Sequence, residues 1–350
     1  MNPIPYSTRC HIWFQRSLRW EFWPWQFVYF PVAVYWLFLS LRAKGLVFFS
    51  AVNPAMKFGG FVAYSKSEAL KLVPSSYLPK TLYLDLPVRM DEVNVQLSEK
   101  AMDFPLIIKP DMGERGKGVR ILHSEQELAD ACKAVTERTI LQVFEDLPME
   151  FGVLYSRHPN EENGIVTSVV IKEFPSVTGD GVSTLLQLIL RYERTRFNYK
   201  RLVGKHASEL NTIPSNGQVV RLVKLGNHIL GATFLNGNHL IGPQLNDVFD
   251  RLAKQMPGFH LGRFDVRAAS IEQLLAGNFK VIEVNGVNSE PAHIYDPEYS
   301  IFAAWRDLFR HWNRLTDIAI ANHRNGVPYA SFSTIRAEIK RHNREGAKHL

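Results

Sequence analysis

Phe104 to Val119, F-P-L-I-I-K-P-D-M-G-E-R-G-K-G-V, is the stretch around which the chain is organised. Pro105 to Ile108 form a short apolar run suited to a buried strand, Lys109 stands at its end, and Pro110 stops it. Three glycines follow, Gly113, Gly116 and Gly118, interleaved with Glu114, Arg115 and Lys117. Glycine has no Cβ, so such a loop can bring backbone N–H groups close to a phosphate chain. Val119 to Leu122 resumes an extended pattern, and the unit reads strand, glycine-rich hairpin, strand. It is neither of the two better-known phosphate loops. Val119 and Arg120 stand where G-x-x-x-x-G-K-[ST] needs lysine and a hydroxyl, and Ile121 stands where G-x-G-x-x-G needs its last glycine. By itself the stretch fits a nucleotide loop and an ordinary glycine hairpin with a solvated basic edge equally well.

The 350 residues suffice for two or three modest domains, or one domain with lobes. A hydrophobic share of 46% with 21% charged residues is that of a globular protein. The two cysteines, Cys10 and Cys132, are far apart and no C-x-x-C occurs, which excludes a zinc knuckle or a disulfide framework and points to a reducing compartment. The twelve histidines form no H-E-x-x-H. The net charge of +7 sits at the ends of the chain: residues 1–44 carry five basic residues against one acidic, and residues 336–350 five against two. A neutral middle argues against a nucleic-acid partner, whose enzymes carry positive charge over the central cleft. Basic ends suit an acidic surface, a membrane among them, or serve solubility.

Phe22 to Leu41 is a run of twenty residues without a formal charge, rich in Trp, Phe and Tyr. Pro24 and Pro31 interrupt it, so one helix is expected from Pro31 to Leu41 with the proline in its first turn. Basic residues flank both sides, which gives no orientation across a membrane. Three arrangements stay open: a helix buried against the body, a helix lying in the membrane plane, and a span. Further on, helices are expected over Ser65–Val73, Ser124–Thr136 (with a Ser124/Glu127 capping box), Ser183–Tyr192, Asp247–Gln255 and Ser300–Ala321. Strands are expected over Thr139–Phe144, Glu150–Tyr155, Gly164–Phe174, Val219–Leu225, His239–Ile241, Gly262–Arg267 and Phe279–Asn285.

The second informative stretch is Lys280-Val281-Ile282-Glu283-Val284-Asn285-Gly286. Side chains two apart on a strand share a face, so Glu283 and Asn285 point one way while Ile282 and Val284 pack on the other. A carboxylate and an amide oxygen on one face suit magnesium held together with substrate phosphates. Asp265, on another apolar strand, supplies a second carboxylate, with Arg263 two residues away on its own face to stabilise a transferring phosphoryl group. The alternative is a set of polar positions on the exposed face of a sheet.

Lys109 with the glycine loop, a strand ending in Gln142, then Glu150, Asp265 and Glu283-x-Asn285 come in the order of the ATP-grasp ligases. The run from about Ser65 to Pro297 resembles the D-alanine–D-alanine ligase branch, and Val177-x-Gly179-Asp180-Gly181-x-Ser183-Thr184-Leu185 is similar to a segment of the cyanophycin synthetases. The resemblance implies an α+β ATP-grasp fold, two α+β lobes with ATP between them. It implies an aromatic-rich segment 1–64, a first lobe 65–144 with the glycine loop, a second lobe 145–325 with the metal site, and a basic tail 326–350. It assigns Lys109, and upstream Lys66, to the phosphates, and Gly113, Gly116 and Gly118 to a lid over them. Gln142 and the backbone at Phe144–Glu145 become the adenine hinge, and Glu150 holds the ribose. Asp265, Glu283 and Asn285 become ligands of Mg²⁺ or Mn²⁺, and Arg263 stands beside the reacting phosphoryl group. Lys172 either reaches the nucleotide or is a strand lysine, and His293 or Glu290 either orients an amine or is structural.

Two departures limit the transfer. Gly286-Val287-Asn288-Ser289-Glu290-Pro291-Ala292-His293 replaces the family's second-substrate pattern, and the family's N-terminal lobe is missing. Asn53, Lys57 and Gly59-Gly60 occupy the corresponding place in order. The expected activity is an ATP-dependent carboxylate–amine (or thiol) ligase passing through an acyl phosphate, acting on an amino acid or peptide. The expected setting is cytoplasmic, with membrane contact through residues 1–44 and a homodimer as further expectations. The alternatives are an ATP-grasp enzyme for a peptide or membrane-associated substrate, and a nucleotide-binding module without turnover.

Overall fold

The glycine-loop unit is built as two antiparallel strands. In a computed structural model, which describes residues 6–112, 118–223 and 232–347, β1 (Thr81–Leu84), β2 (Leu106–Pro110), β3 (Arg120–Leu122) and β4 (Thr139–Val143) form a sheet of order β1-β4-β2-β3. All its pairings are antiparallel, with Leu106 opposite Leu122 and Ile108 opposite both Arg120 and Leu141. Strand alternation sends Leu82, Leu84, Leu106, Ile108, Leu122 and Leu141 to one face. There they pack on two helices that follow the α3 helix (Lys66–Lys71): α4 (Met90–Glu99) through Val93 and Leu97, and α5 (Glu125–Lys133) through Leu128, Ala131 and Cys132. Ser124 caps α5 by accepting from the Glu127 N–H, while the Glu127 carboxylate reaches the N–H of His123 rather than that of the cap residue. The opposite face of the sheet carries Tyr83, Ile107, Lys109, Ile140 and Gln142 toward the rest of the molecule.

A larger antiparallel sheet faces it, of order β11-β10-β5-β6-β9. Its strands are β5 (Met149–Ser156), β6 (Ile165–Glu173), β9 (Thr233–Asn236), β10 (Leu261–Ala268) and β11 (Phe279–Asn285). Phe151, Val153, Tyr155, Phe264 and Val266 form its back. They bury against the apolar stripe Leu245, Val248, Phe249 and Leu252 of α9 (Pro243–Lys254), with α10 (Ile271–Leu275) at the margin. The other set of alternating positions, Glu150, Lys172, Arg263, Asp265, Arg267, Glu283 and Asn285, forms the front. Between β6 and β9 lie a ribbon of β7 (Ser176–Thr178) and β8 (Val219–Arg221) and three short helices, α6 (Leu185–Arg191), α7 (Glu193–Phe197) and α8 (Tyr199–Lys205). They share a small apolar core of their own around Leu188, Phe197 and Leu202.

The N-terminal segment folds as α1 (Tyr6–Ser17) and α2 (Trp25–Ala43), and the chain ends in α11 (Ile301–Arg324) and α12 (Phe332–Ala347). Here the structure corrects two expectations. Pro31 lies inside α2 rather than in its first turn, because the helix starts at Trp25 behind Pro24. Its missing N–H leaves the Phe27 carbonyl without a helix donor, on a residue that is exposed to water. His239–Ile241 is not extended: Asn238–Leu240 forms a 3-10 turn, and the strand is the preceding Thr233–Asn236. The Asn238 side chain accepts from the Val169 N–H at 2.8 Å, which closes that turn onto β6. The helices α1, α4 and α12 were not expected, although α4 (Met90, Val93, Leu97) and α12 (Phe332, Ile335, Ile339) carry apolar residues at helical spacing.

Candidate nucleotide site

The α3 helix and the β2 strand deliver two lysines to one place. Asp111, buried directly after the β2 strand end, accepts from the Ser67 N–H at 2.6 Å with its side chain and from the Lys66 N–H at 3.2 Å with its carbonyl. This pins the first turn of α3 to the end of β2, so Lys66 and Lys109 emerge side by side. Both reach across to β11: Lys109 Nζ donates to the Ile282 carbonyl at 2.8 Å, and Lys66 Nζ lies 3.2 Å from the Glu283 carboxylate. The Ile282 carbonyl is available because of a bulge. Asp265 pairs with Glu283 and the next residue, Val266, with Val281, so Ile282 has no partner across the ladder. The same bulge corrects the expected alternation: Val281 and Val284 enter the core, while Ile282 is only half-buried. Burial drives the Lys109 ammonium down to about 8, and neighbouring Lys66 pushes the same way, against the partial compensation of Glu283.

Of the lid glycines, Gly118 is described and Gly113 and Gly116 lie outside the described residues. Gly118 has φ +75°, and a Cβ there would stand 2.7 Å from the Pro110 ring, so the returning arm of the loop crosses the strand end where a side chain does not fit.

The front of the five-stranded sheet holds a chain of buried ion pairs. Asp265 meets Arg263 Nε at 2.9 Å and Lys172 Nζ at 3.2 Å; Lys172 also meets Glu150 at 2.9 Å. Glu150 in turn takes Arg267 Nε at 3.2 Å. Burial raises the Asp265 carboxyl, yet Arg263 and Lys172 together outweigh it and hold the group below its ordinary value. Burial alone would lower Lys172, but Asp265 and Glu150 leave it raised. Arg267 also donates to the Glu145 carbonyl at 2.6 Å and lies over the rings of Phe144 (5.1 Å) and Phe174 (5.6 Å). Beside it opens a cavity of about 140 Å³ lined by Ile121, Phe144, Leu147, Phe174, Arg221 and Arg267. Gln142 faces the cleft from β4, fully buried, with its amide donating to Thr81 Oγ1 at 2.8 Å.

The residues singled out in the sequence thus fall into two groups. Lys66, Lys109, Arg263, Asp265, Glu283 and Asn285 come together where the lobes meet. Glu145, Glu150, Lys172 and Gln142 line the stretch from there to the cavity, and Glu150 is turned to Lys172 and Arg267. Among the described residues no three His, Cys, Asp or Glu side chains cluster as a metal cage. A site shared with phosphate oxygens needs fewer protein ligands. Asp265 and Glu283 are direct neighbours across β10 and β11. Asn285 next to them accepts from the Tyr64 hydroxyl at 2.8 Å, while its buried Nδ2 has no hydrogen-bond partner. Arg263 and Lys172 already pair with Asp265, and Lys66 with Glu283, so these oxygen donors would take a divalent cation only together with an anionic ligand that draws those cations away.

Sequence reasoning missed Arg267, Tyr64 and the tyrosines Tyr29 and Tyr295, which join Glu290 in a cluster beyond Asn285 that also holds His293. Arg267 was legible, since in R-F-D-V-R it stands two residues past Asp265 on the same face. In the cluster, Glu290 accepts from Tyr295 at 2.6 Å and from Tyr29, which arrives from α2. His293 sits between Ser168 (2.8 Å) and Asp307 (3.2 Å). Asn53, placed by order alone among substrate contacts, is a buried clasp. Its side chain binds the Gly59 and Leu261 carbonyls and the His260 and Leu261 N–H groups.

The strand orders and registers define an α+β fold with a cleft between two antiparallel sheets. No protein-family model matches the sequence, and no curated protein does. Similar solved structures include the D-alanine–D-alanine ligase of Bacillus anthracis, at 13% identity and TM-score 0.41, over 75% of this chain and 69% of that one. The VanG D-Ala:D-Ser ligase of Enterococcus faecalis is similar at 15% identity and TM-score 0.42, over 73% and 61%. A bifunctional glutathione synthetase from Pasteurella multocida follows at 15% identity and TM-score 0.39, over 70% of this chain and 36% of that one. The chain therefore spans about a third of the synthetase and less than two thirds of the VanG ligase.

Proposed function

We propose that this chain is an ATP-dependent carboxylate–amine (or thiol) ligase, working through an acyl phosphate and releasing ADP and phosphate. The observation that carries the proposal is the convergence of Lys66 and Lys109 on Glu283 and the Ile282 carbonyl. Two ammonium groups stand against one carboxylate, and burial drives Lys109 toward neutrality despite Glu283. A polyphosphate supplies the missing negative charge and strong acceptor oxygens.

In this mechanism Lys66 and Lys109 exchange Glu283 and Ile282 for phosphate oxygens, and the arm at Gly118 closes over them. The substrate carboxylate attacks the γ-phosphorus and the bond to ADP breaks, with charge spread over the transferring group. Arg263, oriented by Asp265, and Lys109 stabilise that charge without having to reorganise. Asp265, Glu283 and Asn285 would hold Mg²⁺ or Mn²⁺, whose chemistry is to neutralise and align phosphate oxygens. An amine (or thiol) then adds to the acyl carbon, loses a proton and expels phosphate. The cleft has to exclude water while the acyl phosphate waits, which is the physical role of a closing loop. The acceptor side falls to Glu290, Tyr29 and Tyr295. The donors are small, an amino acid or a peptide.

The test is ADP release by the purified chain with Mg²⁺ and a panel of amino acids, hydroxy acids and dipeptides. Glu283→Gln is expected to lower turnover by about a thousandfold or more while the melting curve stays in place. Wild-type turnover in that variant would remove Glu283 from the site. A nucleotide-binding module without turnover is the second reading, favoured by how completely Glu150 and Asp265 are already ion-paired. Tight ATP binding with no ADP from any member of the panel would select it.

A further inference from the structure

The outer face of α2 is an apolar stripe that nothing among the described residues covers. Phe27, Phe30, Phe38 and Leu41 are 60–79% exposed, and Val34 and Leu37 complete the stripe. Apart from the adjacent pair Leu37 and Phe38 the spacing is three or four residues, so the side chains share one helix face over about 20 Å. The opposite face is taken: Val28, Val32, Leu39 and Ala43 are buried, the Val28 carbonyl accepts from Trp305 at 2.8 Å, and Tyr35 packs on Phe309 at 4.8 Å. A helix fixed along one side to α11 cannot cross a bilayer, although its length and composition alone would allow it. Trp13, Phe14, Trp25 and Phe302 are also more than half exposed, and single-residue scatter does not account for so much aromatic surface.

The charge around α2 selects the partner. Leu39 and Ala43 of α2 share a core with Ile335 and Ile339 of α12. Arg42 and Lys44 at the C-terminal end of α2 therefore come together with the basic helix α12, far apart in sequence, while residues 45–335 are neutral in sum. A second copy would bring like charges together; an anionic bilayer would not. We propose that the outer face of α2 seats in the headgroup layer of an anionic membrane, with the helix in the membrane plane and α12 contributing positive charge beside it. This does not depend on the ligase reading.

Flotation of the full chain with phosphatidylcholine vesicles, with and without phosphatidylserine, tests the proposal. The wild type is expected to float with the anionic vesicles, and about tenfold less with the neutral ones. The triple variant Phe30→Ser/Phe38→Ser/Leu41→Ser is expected to lose about a hundredfold in binding with its melting curve unchanged. Lys44→Glu and Lys340→Glu, which leave the stripe intact, should each weaken binding by about fivefold or more. The proposal fails if the wild type stays unbound with anionic vesicles or if the triple variant binds as the wild type does. It fails equally if mass measurement shows a dimer that the triple variant dissolves, since a second copy would then be what covers the stripe.

Discussion

The two ends of the front sheet face are built on opposite electrostatic plans. From the inner end toward the lobe junction Arg267, Glu150, Lys172, Asp265 and Arg263 alternate in sign, and each charge has partners within 3.2 Å. At the lobe junction Lys66 and Lys109 face one carboxylate and one carbonyl, and Lys109 is held near the point of losing its proton. The first end is finished without a ligand; the second is not. A pre-formed scaffold beside an unbalanced cation pair is an arrangement that binds a polyanion without having to reorganise its own framework.

Lys172→Met tests the finished end and has the largest expected effect. Its side chain is 5% exposed, and its removal leaves Glu150 and Asp265 facing each other with one cation fewer. Breaking such a network by deleting one partner should cost about 3–5 kcal/mol, read as a lower denaturant midpoint at unchanged slope. A loss below about 1 kcal/mol would make this end as open as the other. Lys109→Met tests the unfinished end with the opposite signature. Stability should hold or rise, because a desolvated ammonium is removed. ATP affinity should fall by about 2 kcal/mol, as for a charged hydrogen bond to phosphate, measured by calorimetry. Equal loss of stability in both variants would erase the distinction between the ends.

How much of this was legible follows the same division. Strands with alternating or continuous apolar runs stood out: Phe279–Asn285 carries its own boundaries, and Arg263, Asp265, Glu283 and Asn285 follow from side-chain alternation alone. The bulge at Ile282 was invisible, because one unpaired residue is a property of two strands and not of either sequence. So was the contact that makes the lysine pair, since the Asp111 side chain bridges to Ser67 across 44 positions. The contact of Tyr29 with Glu290 could not be read from an aromatic run in which every second residue is a candidate. The aromatic stretch left three arrangements open until α11 was seen to cover one of its faces.

The smallest of these effects is the pH dependence of ATP binding, and its sign follows from Lys109. In the free protein the group titrates at about 8, against 10.5 for an ordinary lysine. Below pH 8 both folded and unfolded chains carry the proton and the burial penalty is complete. Between 8 and 10.5 the folded state sheds the proton first, so stability of the free protein rises with pH over that window. A bound polyphosphate favours the charged form and raises the pKa, so binding near pH 8.5 must take up a proton. ATP affinity should be flat below about pH 8 and then fall by up to about 1.4 kcal/mol per pH unit until the raised pKa is reached. Calorimetry in two buffers of different ionisation enthalpy measures the proton directly, and Lys109→Met should abolish the uptake. If the wild type binds ATP with no proton uptake and no fall in affinity above pH 8, Lys109 does not meet the phosphates, and the two ends of the face are alike after all.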